Sequence, residues 1–210
     1  MKLRFLLLLL CTFICLLRPL AAETLLVVGD SLSAAYGMPV DQGWVALLQQ
    51  QLAAENIPCT IINASISGDT TAAARARLPQ TITRHRPDIV ILQLGGNDGL
   101  RGLSLEAMKD NLAAMITTVR ENGARVLLIG VQLPPNYGPF YTGKFNAIYH
   151  ELADEYPIAL LPSLVAGIGT EPELMQADGI HPNHDAQARI ATRVREHLLL
   201  LLEKEPLTPD

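Results

Sequence analysis

Cysteine is scarce in this chain, at three of 210 residues, and Cys11 and Cys15 lie so near the start that only Cys59 is left for the body of the protein. A disulfide framework is thereby excluded as its source of stability. Aromatic residues make up 5% of the sequence, with Trp44 the single tryptophan, which disfavours a platform for stacked sugars. Positive charge is in deficit: 16 Lys and Arg stand against 21 Asp and Glu, a formal charge of -5. That balance argues against nucleic acid or an anionic membrane as the main partner. Internal repeats, low-complexity tracts and Gly/Ser linkers are missing too, so one domain is the economical organisation.

What is present begins with a leader. Lys2 and Arg4 precede an apolar run from Phe5 to Leu17, closed by Arg18, Pro19 and the small pair Ala21 and Ala22. This is the layout of a secretory signal peptide, and the run falls short of the ~20 residues that span a bilayer. Residues 1–22 are therefore expected to direct export and be cleaved after Ala21 or Ala22, leaving no stable membrane anchor. A lipid anchor on Cys11 or Cys15 is disfavoured by the bulky Leu9, Leu10, Phe13 and Ile14 around them. Cleavage would leave 13 basic against 21 acidic residues, a formal charge of -8. The expected domain covers residues 23–205, enough chain for an unaided core, with a flexible tail at 206–210.

Short β-branched runs at 24–29, 60–63, 89–94, 125–130 and, more weakly, 158–161 read as strands. Helical spacing of apolar residues marks Trp44 to Leu52, Leu105 to Val119, Phe145 to Leu152 and Ile190 to Leu198. The apolar end Leu198 to Leu202 reads as a packed helix terminus, with a membrane-contacting or dimer role as the lesser alternative. Strands apolar on both faces, separated by helices, predict an α/β fold with a parallel sheet covered on both sides. Right-handed crossovers then gather the strand-to-helix loops at one edge, bringing Ser31, Gly68 and Asn97 together. The loop from Gly130 to Tyr141, with Pro134, Pro135 and Tyr137, is expected to wall a substrate cleft.

Ser31 alone is weak evidence, since a serine after a strand commonly caps a helix. Asp178-Gly179-Ile180-His181-Pro182 adds an imidazole that could take a serine proton and a carboxylate three residues earlier that could hold the ring in one tautomer. Pro182 disfavours helix at His181, and Asn183 is placed to cap the final helix. Gly68 can bring a bare N–H to a ligand, although a tight turn with Asp69 or Thr70 capping a helix fits that segment equally. Asn97, after Gly95 and Gly96, could donate its amide to a developing oxyanion or form an Asx turn. Asp178, His181, His184 and Asp185 are metal-ligand types, but their crowding around Pro182 makes a mononuclear site awkward. Gly99 and Gly102 flank Leu100 and Arg101 as a candidate flap beside the cleft, while Arg101, His85, His150 and His197 otherwise read as surface residues.

Four blocks in order, Gly29-Asp30-Ser31-Leu32, Ser67-Gly68-Asp69-Thr70, Gly95-Gly96-Asn97-Asp98 and Asp178 to Pro182, make the chain resemble the SGNH or GDSL hydrolases over essentially its whole mature length. The resemblance is strongest to the periplasmic bacterial branch with thioesterase, lysophospholipase and arylesterase activity. It implies a three-layer flavodoxin-like fold with strand order 2-1-3-4-5 and no metal or other cofactor. It further implies a triad of Ser31, Asp178 and His181, and an oxyanion hole from Ser31, Gly68 and Asn97. The expected partner is a small acyl ester or thioester, bound beside Gly99, Leu100, Arg101, Pro134 and Tyr137 by a monomer. No Gly-x-Ser-x-Gly elbow is present, unlike in the elbow-type α/β-hydrolases. Two alternatives stay open: a carbohydrate O-deacetylase on the same machinery, and a periplasmic ligand-binding module without catalysis.

Overall fold

The computed structural model describes residues 22–202, so the expected leader, apart from Ala22, and the expected tail at 206–210 lie outside the described residues. Five strands, β1 (Glu23–Gly29), β2 (Cys59–Asn63), β3 (Ile89–Gln93), β4 (Arg125–Ile129) and β5 (Ala159–Leu161), form one parallel sheet in the order β2-β1-β3-β4-β5. Both the strand positions and this order agree with the expectation, with Leu94 and Gly130 falling one residue outside their strands. β3 and β4 are buried at every residue, because helices cover both faces and leave no side chain to solvent.

Alternation along each strand divides the core in two. Leu26, Val28, Val90, Leu92, Val126 and Leu128 pack on one face against α2 (Thr71–His85), α4 (Leu105–Glu121) and α5 (Pro139–Glu155). Leu25, Val27, Ile89, Ile91, Leu127 and Ile129 pack on the other against α1 (Trp44–Ala54) and α6 (His184–Leu202). The period of two in the strands meets the 3.6-residue period of Met108, Leu112, Met115, Ile116 and Val119 in α4, all fully buried. Leu198 and Leu201 are buried while Leu200 is 60% exposed, so the all-leucine end of α6 packs by one face. Among the described residues no helix is long and apolar enough to cross a membrane.

The sequence pattern marked where α2 starts but not its body. Its buried residues, Thr71, Ala74, Leu78 and Ile82, are few and small, and Pro79 sits inside it. Thr70 caps it by accepting from the Ala73 N–H at 3.3 Å, as the turn reading of that segment required. α3 (Gly96–Leu100) is a single short helical turn after β3. Asn183 caps α6 by accepting the Asp185 N–H at 3.0 Å.

Strand order reverses at β1, which has β2 on one side and β3 on the other, so the loops after β1 and β3 part to leave a crevice at their carboxyl ends. The loop after β1 is anchored from below by Trp44, which is 1% exposed and donates its indole N–H to the Leu32 carbonyl at 3.0 Å. Gln187 of α6 supplies the acceptor for the Trp44 backbone N–H, also at 3.0 Å, replacing the side-chain cap that Gly43 cannot give. Trp44→Phe should therefore lower stability by about 1–3 kcal/mol through an unpaired carbonyl and lost volume. Chemical denaturation followed by circular dichroism checks this; an unchanged midpoint would contradict it.

Candidate active site

Ser31 follows β1 directly, and Gly29 explains why the chain can turn there. A Cβ at Gly29 would stand 2.8 Å from the Ser33 side chain and 3.0 Å from Gln93 Oε1, space that those two groups already fill. Ser33 Oγ donates to Gln93 Oε1, and Gln93 Nε2 donates to Asp30 Oδ1 at 3.1 Å. The same Asp30 oxygen accepts the Leu32 N–H at 3.0 Å. A buried carboxylate thus ties the turn around Ser31 to the neighbouring strand. Asp30 belongs to the Gly29-Asp30-Ser31-Leu32 block, but its role depends on its burial and its bond to Gln93 of β3, which no local pattern encodes.

His181 arrives from the other end of the chain. Its Nε2 lies 2.8 Å from Ser31 Oγ, and its Nδ1 lies 2.7 Å from Asp178 Oδ2. With the ring proton on Nδ1, directed at the carboxylate, Nε2 is the acceptor for the Ser31 hydroxyl. Asp178 Oδ1 accepts the N–H groups of Ile180 and His181 at 2.9 and 3.0 Å, folding residues 178–181 into a closed loop. Although partial burial acts to raise it, the Asp178 pKa is held down to about 2 by the backbone and ring hydrogen bonds from His181 and the N–H of Ile180. Asp178 is therefore ionised around neutral pH.

Gly68 has φ of +85°, a left-handed conformation suited to glycine. Among the described residues the backbone N–H groups of Ser31 and Gly68 meet no protein acceptor. Asn97 spends one amide hydrogen on the Asp69 carbonyl at 3.0 Å and keeps the other. Two groups the sequence reading undervalued hold these segments together. Asp98, 3% exposed, accepts from both the Thr71 N–H at 2.9 Å and the Thr71 hydroxyl at 2.6 Å. Arg101 is exposed, as the surface reading expects, and its guanidinium also bridges the Gly68 carbonyl at 3.1 Å and Asn97 Oδ1 at 3.3 Å. That contact fixes which way the Asn97 amide faces.

A cavity of about 460 Å³ opens beside Ser31, Asn97 and His181, walled by Leu100, Val131, Leu133 and Pro134 on one side and by Val165, Met175 and Ile180 among its other residues. This volume lies within the range of small-molecule sites. Of the residues expected to bind substrate, Leu100 and Pro134 line it, whereas Gly99, Arg101 and Tyr137 do not. Tyr137 instead donates its hydroxyl to the Leu100 carbonyl at 2.9 Å and buttresses that wall. Gly99 is closely packed: its N–H is bonded to the Gly95 carbonyl, and a Cβ would sit 2.7 Å from Phe145 and 2.8 Å from Leu133. His184 and Asp185 are exposed and contact each other, and among the described residues no group of three or more His, Cys, Asp or Glu is placed to hold a metal ion.

These loops, on this sheet, define an α/β hydrolase class with a serine, a histidine and an aspartate at the switch point. The chain belongs to the GDSL-like lipase/acylhydrolase family, whose pattern matches residues 27–189. It is 50% identical to esterase TesA of Pseudomonas aeruginosa over 182 residues, 87% of this chain and 90% of that protein. It is 44% identical to an arylesterase of Vibrio mimicus over 179 residues, 85% of this chain and 90% of the other. Thioesterase 1/protease 1/lysophospholipase L1 of Escherichia coli K12 is 42% identical over 201 residues, 96% of this chain and 93% of that one. The crystal structure of TesA superposes with a TM-score of 0.84 at 50% identity, covering 85% of this chain and 99% of that one.

Asp30, unlike Asp178, is 2% exposed, and burial pushes its pKa from 3.8 up to about 6 against the opposing hydrogen bonds from Leu32 and Gln93. The folded state then binds this proton more tightly than the unfolded chain does. Its contribution to stability is therefore most favourable below pH 3.8 and is withdrawn as pH rises through about 6. Asp30→Asn keeps an acceptor for Leu32 and removes the charge. The stability of the variant relative to the wild type should rise between pH 4 and pH 8 by up to about 3 kcal/mol. A difference that stays flat over that range in urea unfolding would show that this carboxyl does not titrate there.

Proposed function

We propose that the protein is a serine esterase and thioesterase that hydrolyses acyl esters, acyl thioesters such as acyl-CoA, lysophospholipids and aryl esters through an acyl-enzyme on Ser31. The observation that carries this reading is the chain of contacts Ser31 Oγ to His181 Nε2 at 2.8 Å and His181 Nδ1 to Asp178 Oδ2 at 2.7 Å beside an apolar-walled cavity. Ser31 Oγ attacks the acyl carbonyl carbon while His181 Nε2 takes its proton. The carbonyl oxygen becomes an oxyanion, met by the free N–H groups of Ser31 and Gly68 and the remaining amide hydrogen of Asn97. Asp178, ionised throughout, stabilises the imidazolium and keeps the ring in register. Collapse of the tetrahedral species breaks the bond to the alcohol or thiol, which leaves with the proton from His181. Water then adds to the acyl-enzyme, giving its proton to His181, and the second collapse frees the carboxylic acid and restores the Ser31 hydroxyl.

The names of the relatives support the substrate classes: an esterase, an arylesterase and a thioesterase that is also a lysophospholipase. We read residues 1–22 as an export signal and 23–205 as one domain that works as a monomer in the periplasm without a membrane anchor.

Ser31→Ala should lower kcat on p-nitrophenyl and acyl-CoA esters by at least ~10⁴-fold without loss of fold, and Asp178→Asn should cost a similar order. Asn97→Ala should cost about 10²–10³-fold in kcat. Steady-state kinetics on the purified variants, with circular dichroism for folding, measure this; a folded Ser31→Ala protein that still turns over would reject the assignment.

A further inference from the structure

The hydrogen bond between Ser31 and His181 spans two loops with no covalent neighbour in common, and a second set of contacts joins the same loops without using either reacting group. Gln176 is at its centre. Its backbone N–H donates to the His181 carbonyl at 2.8 Å. Its side-chain Nε2 donates to the Pro182 carbonyl at 3.1 Å and, across the cleft between loops, to the Tyr36 carbonyl at 2.8 Å. Tyr36 in turn donates its N–H to the Ser31 carbonyl at 3.3 Å. Its ring lies against the His181 imidazole, with centroids 4.5 Å apart and planes tilted by 36°. Gly37 has φ of +76°, and a Cβ there would stand 2.4 Å from Gln176 Oε1, so the next residue is shaped to admit this carboxamide.

Asp178 cannot do this task. It belongs to the same loop as His181 and fixes the ring within that loop, not the distance of that loop from Ser31. We propose that Gln176, together with Tyr36, is a positioning residue that staples the nucleophile loop to the histidine loop and so sets the Ser31 to His181 geometry. Gln176 acts through His181 and Ser31 and makes no demand on substrate binding. The inference rests on the reading of Ser31 as nucleophile and His181 as base. Misplacement of a reacting group by about 1 Å costs on the order of 10²-fold in rate, so the staple has a kinetic signature.

Gln176→Met keeps the length of the side chain and removes both donated bonds; Tyr36→Ala removes the ring, and Tyr36→Phe retains it. Functional sites are counted by fluorophosphonate titration, so that unfolded protein drops out of the rate. Expected per titrated site is a loss of tenfold or more in kcat on p-nitrophenyl butyrate for Gln176→Met and Tyr36→Ala. KM should stay within twofold, and Tyr36→Phe should remain near wild type. In a His181→Ala background, with rates taken per folded protein measured by circular dichroism because Ser31 is no longer activated toward the probe, Gln176→Met should cause no further loss of the residual rate, because the residue acts through the ring. An unchanged kcat per site in Gln176→Met, or the same tenfold loss without His181, would overturn the proposal. Failure of wild-type Ser31 to take the fluorophosphonate would instead refute the reading beneath it.

Discussion

A single hydrogen bond of 2.8 Å, from Ser31 to His181, joins residues 150 positions apart, and almost every feature of the surrounding loops bears on whether that distance can be kept. Chain entropy opposes it, since each loop left free would sample many positions. The sheet meets the first part of that cost by delivering Ser31 at the end of β1, whose Leu25 to Val28 are wholly buried. α6 meets another part, because its start is capped by Asn183 and its Gln187 is bonded to the beginning of α1. The two loops thus rest on elements that are packed on the same face of the sheet.

Two aspartates near the reacting serine are pushed in opposite directions by their surroundings. Asp178 is partly open to solvent and receives three hydrogen bonds, which hold its charge in place beside the histidine. Asp30 is enclosed and receives two, and burial outweighs them. Charge is kept where an imidazolium has to be stabilised and is made costly where only a turn has to be held. The oxyanion segments show the same division between Asn97, which lines the cavity with one amide hydrogen uncommitted, and Asp98, whose carboxylate is consumed by Thr71.

Much of the fold was legible because the strands are apolar runs bounded by turn residues, and α4 repeats its apolar residues with helical spacing. The helix α2 was not, since its inward face is built on Ala74, Leu78 and Ile82 with Pro79 among them, too sparse a stripe for periodicity to register. Ser31, Gly68, Asn97, Asp178 and His181 could be nominated from local motifs and from the rule that parallel strands share one functional edge. Arg101, Gln93 and Gln176 could not. Each works through a contact with a residue at least 33 positions away, such as Gly68, Asp30 or Tyr36, and nothing local distinguishes such an amide or guanidinium from a solvated one. The assignment of Tyr137 and Gly99 to the cavity failed for a related reason: nearness in sequence to cleft residues does not say which side of the wall a side chain occupies.

The central claim is that the acyl group passes through a covalent bond to Ser31. Acid quenching of the wild-type enzyme during turnover of a slowly deacylated ester, followed by peptide mass spectrometry, tests it directly. One acyl mass per molecule is expected, on the peptide that carries Ser31. An acyl group on another residue, or turnover with no acylated protein under conditions where deacylation limits the rate, would contradict it.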